Sequence, residues 1–397
     1  MKKVAILGFG TVGGGVAEIL ERNAAFIEKK AGERVELSWI VDLRDMPDSP
    51  FAGKMVKDFA VVENDPETTV VVEAIGGCGA ALQFVRRALT AGKSVVTSNK
   101  QLVAEHGLEL TGLAREHGCN FLFEASVGGG IPVLHPINRC LGANELWEIA
   151  GILNGTTNFI LTQMLESGAD FDSALAEAQK LGYAEQNPAA DVEGIDAGRK
   201  ICILADLAFG KNIAPEYVAM EGITKIAPED AAFAEAGGMK LKLLGRAVKR
   251  EGRLAVFVSP HFVPETSPLA PVRDVYNAIL VRGSDVGETM FYGLGAGRYP
   301  TASAVLGDVI DIVSNPGRPQ PAEWGPGGPE LLSDPKKFQA QFFIRTKADK
   351  KDAEKALGHV SWLPDQAGWH GGVTEVTTRE KIENANLALA AVWPVFD

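Results

Sequence analysis

Apolar positions along the chain switch repeatedly between strand-like runs and helical spacing. Lys3 to Leu7 is a short apolar run that predicts a strand, and Gly8-Phe9-Gly10-Thr11-Val12-Gly13 follows it. From Val16 to Ile27 the apolar residues Val16, Ile19, Leu20 and Ile27 recur at helical spacing, which predicts one helix. Val35 to Val41 predicts the next strand, ending on Asp42, and Thr69 to Ile75 and Ser94 to Thr97 predict two more. Ala80 to Ala91 and Leu102 to His117 read as helices between and after them. Strands alternating with helices in this way predict a doubly wound parallel sheet of Rossmann type, with right-handed crossovers.

Beyond about Pro136 the alternation is lost. Glu145 to Ile152 predicts a strand, Thr157 to Glu166 and Phe171 to Leu181 helices, and Ile195 to Phe209 a long apolar helix. Leu254 to Val258 and Ala278 to Val281 are further strand-like runs, so this stretch reads as an α+β domain. Ser314 to Pro329 packs five Pro and four Gly into sixteen residues, the composition of a linker. After it, Gln339 to Lys347 and Val373 to Thr378 predict strands, and Lys351 to Leu357 a short helix. Ile382 to Val392 predicts a last helix leading to Val395. The expected organisation is a dinucleotide-binding domain at 1–135, a second domain at 136–313, a linker at 314–334 and a small α+β domain at 335–397.

Composition narrows the function. Lys plus Arg number 39 against 51 for Asp plus Glu, a net charge of −12 that argues against a nucleic-acid binder. No run approaches the ~18 uninterrupted apolar residues of a membrane span. The apolar run after Met1 is broken by Gly8, Gly10 and Gly13 to Gly15, unlike a signal peptide, so a cytoplasmic protein is expected. Cys78, Cys119, Cys140 and Cys202 have no short spacing and are expected to be buried apolar residues. Glycine, at 44 residues, is in clear excess of the ~7% average and marks close backbone approaches.

The first glycine cluster has G-x-G-x-x-G spacing between a strand and a helix. That arrangement provides a tight turn, close approach of a pyrophosphate and helix-on-strand packing, with unpaired amides facing the phosphates. Asp42 at the end of the second strand is placed for a ribose 2′-hydroxyl, as in NAD, while Arg44 is placed for a 2′-phosphate, as in NADP. Both readings stay open. Ser98-Asn99-Lys100 lies just past a strand end, where doubly wound sheets bind ligands. Glu124 to Pro132 contains Gly128, Gly129 and Gly130, which reads either as an ion- or ligand-crowding turn or as a hinge. Asp196 and Lys200 are four apart and share one helical face. On a surface they would be a weak ion pair of ~0.3–0.5 kcal/mol. Their neighbours Ile195, Ala197, Ile201, Cys202, Ile203 and Leu204 leave little polar face, and desolvation of the ammonium lowers its pKa and suits proton transfer.

On these motifs the sequence resembles the homoserine dehydrogenases over roughly its first 310 positions. The resemblance extends to Gly151-Ile152-Leu153-Asn154-Gly155-Thr156-Thr157-Asn158, to Gly182-Tyr183-Ala184-Glu185, and to Gly293-Leu294-Gly295-Ala296-Gly297 with Pro300-Thr301-Ala302. It implies reversible reduction of L-aspartate 4-semialdehyde to L-homoserine with NADH or NADPH. Lys200 is then the proton donor and Asp196 its partner. Glu185 binds the substrate amino group, with Asp191 a second candidate, and Thr156 at a helix start helps hold the substrate carboxylate. Gly8, Phe9, Gly10, Thr11, Val12, Gly13, Asp42, Arg44, Lys100 and Gly297 belong to the cofactor. Glu124, with the carbonyls of Val127, Gly129 and Ile131, resembles a structural sodium site. The second domain is then a substrate and dimerisation domain, in a homodimer or homotetramer. The tail resembles, in outline, an ACT-like regulatory domain with threonine as the expected effector. The alternatives are an aspartate-semialdehyde dehydrogenase, for which Cys119 and Cys140 lack an activating partner nearby in sequence and the Glu185–Lys200 set has no role, and a catalytically dead cofactor-sensing regulator, which predicts loss of the proton donor although Lys200, Asp196 and Glu185 are all present.

Overall fold

The computed structural model describes residues 1–317 and 324–397; the part of the expected linker at 318–323 lies outside the described residues. Contacts divide the chain into two compact units, both discontinuous in sequence: 1–143 with 206–214 and 293–327, and 144–205 with 215–292 and 328–397.

The first unit is built on six parallel strands: β1 (Lys2–Leu7), β2 (Val35–Val41), β3 (Met55–Val56), β4 (Thr68–Glu73), β5 (Ser94–Thr97) and β6 (Phe121–Leu122). Their order is β3-β2-β1-β4-β5-β6, the doubly wound arrangement, with a crevice at the strand C-termini where the order reverses between β1 and β4. Val4, Ile6, Val70, Val72 and Val96 are at most 1% exposed, as continuous apolar runs buried on both faces must be. The crossover helices are α1 (Thr11–Arg22), α2 (Ala24–Ala31), α3 (Ala60–Glu63), α4 (Gly79–Thr90) and α5 (Lys100–Glu116). The single helix expected from Val16 to Ile27 is thus two, interrupted at Asn23, whose backbone leaves helical geometry (φ −106°, ψ 19°).

In the second unit, β7 (Leu146–Ile152) leads into α6 (Gly155–Ser167), α7 (Phe171–Lys180), α8 (Ala189–Val192) and α9 (Ile195–Phe209). After β8 (Ala219–Met220) and α10 (Pro228–Ala236) comes the long hairpin of β9 (Met239–Arg250) and β10 (Arg253–Pro264). The unit's sheet is completed by β11 (Tyr276–Gly283) and β12 (Gly287–Leu294), in the order β12-β11-β7-β9-β10-β8. The chain then returns to the first unit as α11 (Arg298–Ser314), which lies along α1 and contributes Ala302, Val305 and Val309 to that core. Neither β9 nor α11 is marked by the periodicity of the sequence. Trp324, inside the expected linker, is 5% exposed and sits edge-on to Phe123.

The remaining elements are β13 (Gln339–Ala340), β14 (Phe342–Thr346), α12 (Lys350–Leu357), β15 (Val360–Trp362), β16 (His370–Thr374), β17 (Thr377–Thr378), α13 (Arg379–Asn384) and β18 (Leu389–Pro394). Four of the strands form an antiparallel sheet, β15-β16-β14-β18, which with its two helices is a split βαβ arrangement. The expected helix from Ile382 to Val392 is corrected. Only α13 is helical; Asn386 takes a left-handed conformation (φ 53°) and the chain then pairs with β14 as β18. Phe338, Ala340, Phe342 and Ile344 share a core with Val248, Ala255 and Phe257 of the β9–β10 hairpin.

Candidate active site

The Gly8–Gly13 turn sits at the reversal crevice of the first unit. Gly8 takes a left-handed conformation (φ 88°), and a Cβ there would lie 2.8 Å from the Ala74 carbonyl oxygen; one on Gly13 would lie 2.0 Å from that of Gly8. Gly10 is different: nothing lies within 4 Å of a Cβ built on it, and as N-cap of α1 it makes no side-chain cap. Its helix start is left open to an anion. Thr11 and Val12 begin that helix. Gly14 and Gly15 instead make room for α11, because Cβ atoms there would meet Arg298. Beside the turn is a cavity of about 390 Å³ lined by Gly8, Gly10, Asp42, Arg44, Lys57, Ile75 and others.

Asp42 accepts hydrogen bonds from the amide of Phe9 (2.8 Å) and from the amide and guanidinium of Arg44 (2.8–3.0 Å). The Arg44 bond chiefly holds its carboxyl well below the usual carboxylate range. The two candidate selectors of the ribose therefore neutralise each other. Across the crevice, buried Glu73 accepts from the amides of Ile75 and Gly76 and from the Thr97 hydroxyl; Thr97 accepts from Asn99, whose side chain donates to the Gly77 carbonyl. This network, absent from the sequence reading, ties together the loops after β4 and β5. Asn99 also caps α5, setting Lys100 at the helix start.

In the Glu124 segment, Gly128 and Gly129 are left-handed (φ 74° and 55°). Cβ atoms on Gly129 and Gly130 would lie 2.5 Å from the Gly295 carbonyl oxygen and 2.7 Å from Pro300 Cβ. Part of the glycine requirement is thus close packing against the turn that holds Gly297 (φ 131°), the N-cap of α11. The Glu124 carboxylate accepts three backbone amides, from Val133, Leu134 and His135 (2.6–2.9 Å). Its own amide donates to buried Asp308, which also bonds His135 Nε2 at 2.8 Å. Burial pushes Asp308 up to about 6, and its carboxylate raises His135 in turn.

The second unit carries the other candidates. Lys200 Nζ, on α9, donates to Asp196 Oδ2 and to the Leu153 carbonyl, each at 2.7 Å, and both side chains are less than a tenth exposed. The apolar neighbours expected around Lys200 are there, but the immediate environment is a buried ion pair. Asn154 is the hub of the cluster. Its Nδ2 donates to Asp196 Oδ2 (2.9 Å) and Asp191 Oδ1 (2.7 Å), and its Oδ1 caps α6 at the Thr157 amide. The motif Asn154-Gly155-Thr156-Thr157 carries an N-cap signal, but nothing in it reveals the partners some forty residues away. Thr156 is present at the helix start, yet its hydroxyl is engaged by the Tyr183 carbonyl at 2.6 Å. What remains for an anion there are the amides of Gly155 and Thr156, for which no acceptor occurs among the described residues. Glu185 lies exposed on the 182–188 loop, outside the Lys200 cluster, whereas Asp191 is inside it. Of the cysteines, Cys119 and Cys202 are buried as expected, while Cys78 is half-buried and Cys140 exposed.

Two family models match the chain: the NAD binding domain of homoserine dehydrogenase at residues 8–124 and homoserine dehydrogenase at 132–310. Homoserine dehydrogenase of Neisseria gonorrhoeae is 40% identical over 396 residues, covering 95% of this chain and 90% of its own. That of Pseudomonas aeruginosa is 46% identical over 312 residues, covering 78% of this chain and 72% of its own. Among solved structures, the homoserine dehydrogenase of Thiobacillus denitrificans matches with a TM-score of 0.90 at 35% identity, covering 100% of this chain and 98% of its own. A hyperthermophilic archaeal homoserine dehydrogenase in complex with NADPH matches at 0.67 and 29% identity, covering 78% of this chain and 97% of its own.

Proposed function

The chain belongs to the homoserine dehydrogenase family, and on that premise we propose a division of the reaction among its residues. It is an NAD(P)-dependent oxidoreductase that interconverts L-aspartate 4-semialdehyde and L-homoserine. When bound, the nicotinamide supplies hydride to the aldehyde carbon. The Gly8–Gly13 turn and the start of α1 hold the pyrophosphate, the Asp42–Arg44 pair faces the adenosine ribose, and Lys100 and Gly297 complete the cofactor's surroundings. Open space at Gly10, where a side chain would otherwise project, supports this fit.

Lys200 donates the proton to the oxygen on which negative charge develops. Asp196 is a positioning residue that keeps the ammonium aimed, and the Leu153 carbonyl fixes a second N–H. Asn154 holds Asp196 and Asp191 together. Asp191 and Glu185 are the carboxylates for the substrate ammonium, and the amides at the start of α6 receive its carboxylate. The observation that carries this assignment is the buried Lys200–Asp196 pair at 2.7 Å, held by Asn154.

A sodium ion would be held by the carbonyls of Val127, Gly129 and Ile131, which accept no hydrogen bond from the described residues, with the remaining acceptor capacity of Glu124. Its contribution would be to stiffen the turn. The split βαβ region at 335–397 serves as an ACT-like sensor with threonine as its effector, and the enzyme acts in the cytoplasm as a homodimer or homotetramer. The test is an absorbance assay at the nicotinamide band with L-homoserine and each coenzyme. Coenzyme reduction dependent on L-homoserine is expected. Its absence with both coenzymes, or acyl-transfer activity through a cysteine instead, would overturn the reading.

A further inference from the structure

Three side chains with no part in the proposed reaction converge on the first unit. A thiol sulfur, a carboxylate oxygen and an imidazole nitrogen, from Cys78, Glu105 and His106, lie within 4.8 Å of one another, the one such group of metal-ligating side chains among the described residues. Cys78 Sγ donates to Glu105 Oε2 at 3.4 Å. Cys78 is the N-cap of α4, while Glu105 and His106 are consecutive residues of α5. These two helices lie side by side and are tied further along by the bidentate Arg86–Glu109 pair. Chain spacing gives no sign of the group, because 27 residues separate the thiol from the carboxylate.

We propose that Cys78, Glu105 and His106 form a binding site for a divalent cation of the zinc class. The donor set decides the class. A thiolate and an imidazole suit zinc and cobalt, whereas magnesium and calcium take sites built from oxygen. Three protein ligands leave a fourth tetrahedral position for water. Ligands at about 2.0–2.3 Å from such an ion stand roughly 3.3–3.8 Å apart, so the three donors need to close by only about 1 Å. Cys78 and His106 are half-buried and Glu105 is exposed, which leaves the ion a way in from solvent. On binding, the Cys78 thiol loses its proton to solvent, and carboxylate and neutral imidazole replace waters of the ion.

The site bears on the coenzyme crevice. Ala74 and Ile75 before Cys78, and Ala80 and Phe84 after it, line the cavity beside the Gly8–Gly13 turn. Glu73 holds the start of this loop through the amides of Ile75 and Gly76, and Asn99 holds the Gly77 carbonyl. Gly76 and Gly77 are both left-handed (φ 84° and 66°), so the backbone between these anchors turns sharply. A cation on Cys78 fixes the far end of the loop to α5. Part of the ordering that coenzyme binding requires is then already done, and affinity for coenzyme rises. The metal site stands on its own geometry; this effect on coenzyme rests on the coenzyme reading of the first unit.

Titration of the chelator-treated full chain with Co²⁺, then Zn²⁺ or Mg²⁺, tests the site. Co²⁺ should raise a thiolate-to-metal charge-transfer band in the near ultraviolet, which Zn²⁺ abolishes by displacement with a Kd of about 10 μM or tighter and Mg²⁺ leaves in place. Cys78→Ser keeps a good N-cap and hence the fold, and should lose the band. His106→Gln should weaken Co²⁺ binding by at least the roughly tenfold that loss of even an outer partner costs. Cys140→Ser, at an exposed cysteine elsewhere, should retain the band. NADPH should bind about threefold tighter or better to the zinc-loaded parent than to the chelator-treated one, and equally to both forms of Cys78→Ser. No band, a band that survives Cys78→Ser, or one lost in Cys140→Ser would overturn the site. A band as expected, with NADPH affinity unmoved by zinc, would overturn the effect on coenzyme. The same band without binding of NADPH or NADH in any form would instead strike the coenzyme reading and leave the metal site standing.

Discussion

At the scale of single residues, the proposed chemistry rests on Asn154 as much as on the pair it serves. Its one amide nitrogen stands between two carboxylates, Asp191 and Asp196, while its oxygen caps α6. The two duties can be separated. Asn154→Ser keeps a good N-cap without adding a charge between the two carboxylates, so the melting temperature should fall only slightly, whereas Asn154→Ala should lose roughly 1 kcal/mol from the cap. Both variants leave the carboxylates unbridged, and kcat should drop by about tenfold or more in each. Equal loss of stability in both variants with kcat unchanged would show that Asn154 is only a cap. Lys200 and Asp196 are legible in the sequence because four residues on a helix is a local relation. Asn154, Leu153 and Asp191 are brought to them by tertiary packing, which spacing does not encode. The same is true of Thr156, where the residue is visible and its commitment to the Tyr183 carbonyl is not.

At the scale of elements, strands buried on both faces announce themselves, and β1, β2, β4 and β5 stand where the apolar runs put them. Elements that depend on partners do not. β9 mixes Lys240, Lys242 and Arg246 into its pattern, and its pairing with β10 on one side and β7 on the other makes it a strand. Lys242 shows the cost. It is 2% exposed, bonds Asn158 Oδ1 at 3.2 Å and the Val272 carbonyl, and burial lowers its pKa from 10.5 to about 8. A base depressed in the folded state contributes stability above its unfolded pKa and loses it as pH falls toward the folded value. Stability from this group should therefore rise between pH 8 and 10.5. Lys242→Met should be more stable than the parent at pH 7, with the gap closing as pH approaches 10.5; a gap independent of pH in thermal melts would contradict this. β18 is the other instructive element. Its residues suit a helix locally, but left-handed Asn386 and the edge of β14 make it a strand.

For the whole molecule, the chain order of domains is a poor guide to the compact units. Residues 293–327 rejoin the first unit, where α11 packs on Gly14 and Gly15, and Gly295 and Pro300 meet Gly129 and Gly130. Gly14, Gly15, Gly129 and Gly130 are required by helix-on-helix or turn-on-turn packing, a use that the sequence alone does not separate from the cofactor approach proposed for Gly8–Gly13. The family assignment covers nearly the entire chain, so the account stands or falls on where the proton comes from. The most direct measurement is turnover of Lys200→Ala with L-homoserine, alongside coenzyme binding followed by the quenching of protein fluorescence. A loss of kcat by three orders of magnitude or more, about 4 kcal/mol, with coenzyme affinity within a few-fold of the parent is the predicted result. Turnover within tenfold of the parent would contradict the assignment of Lys200 as proton donor.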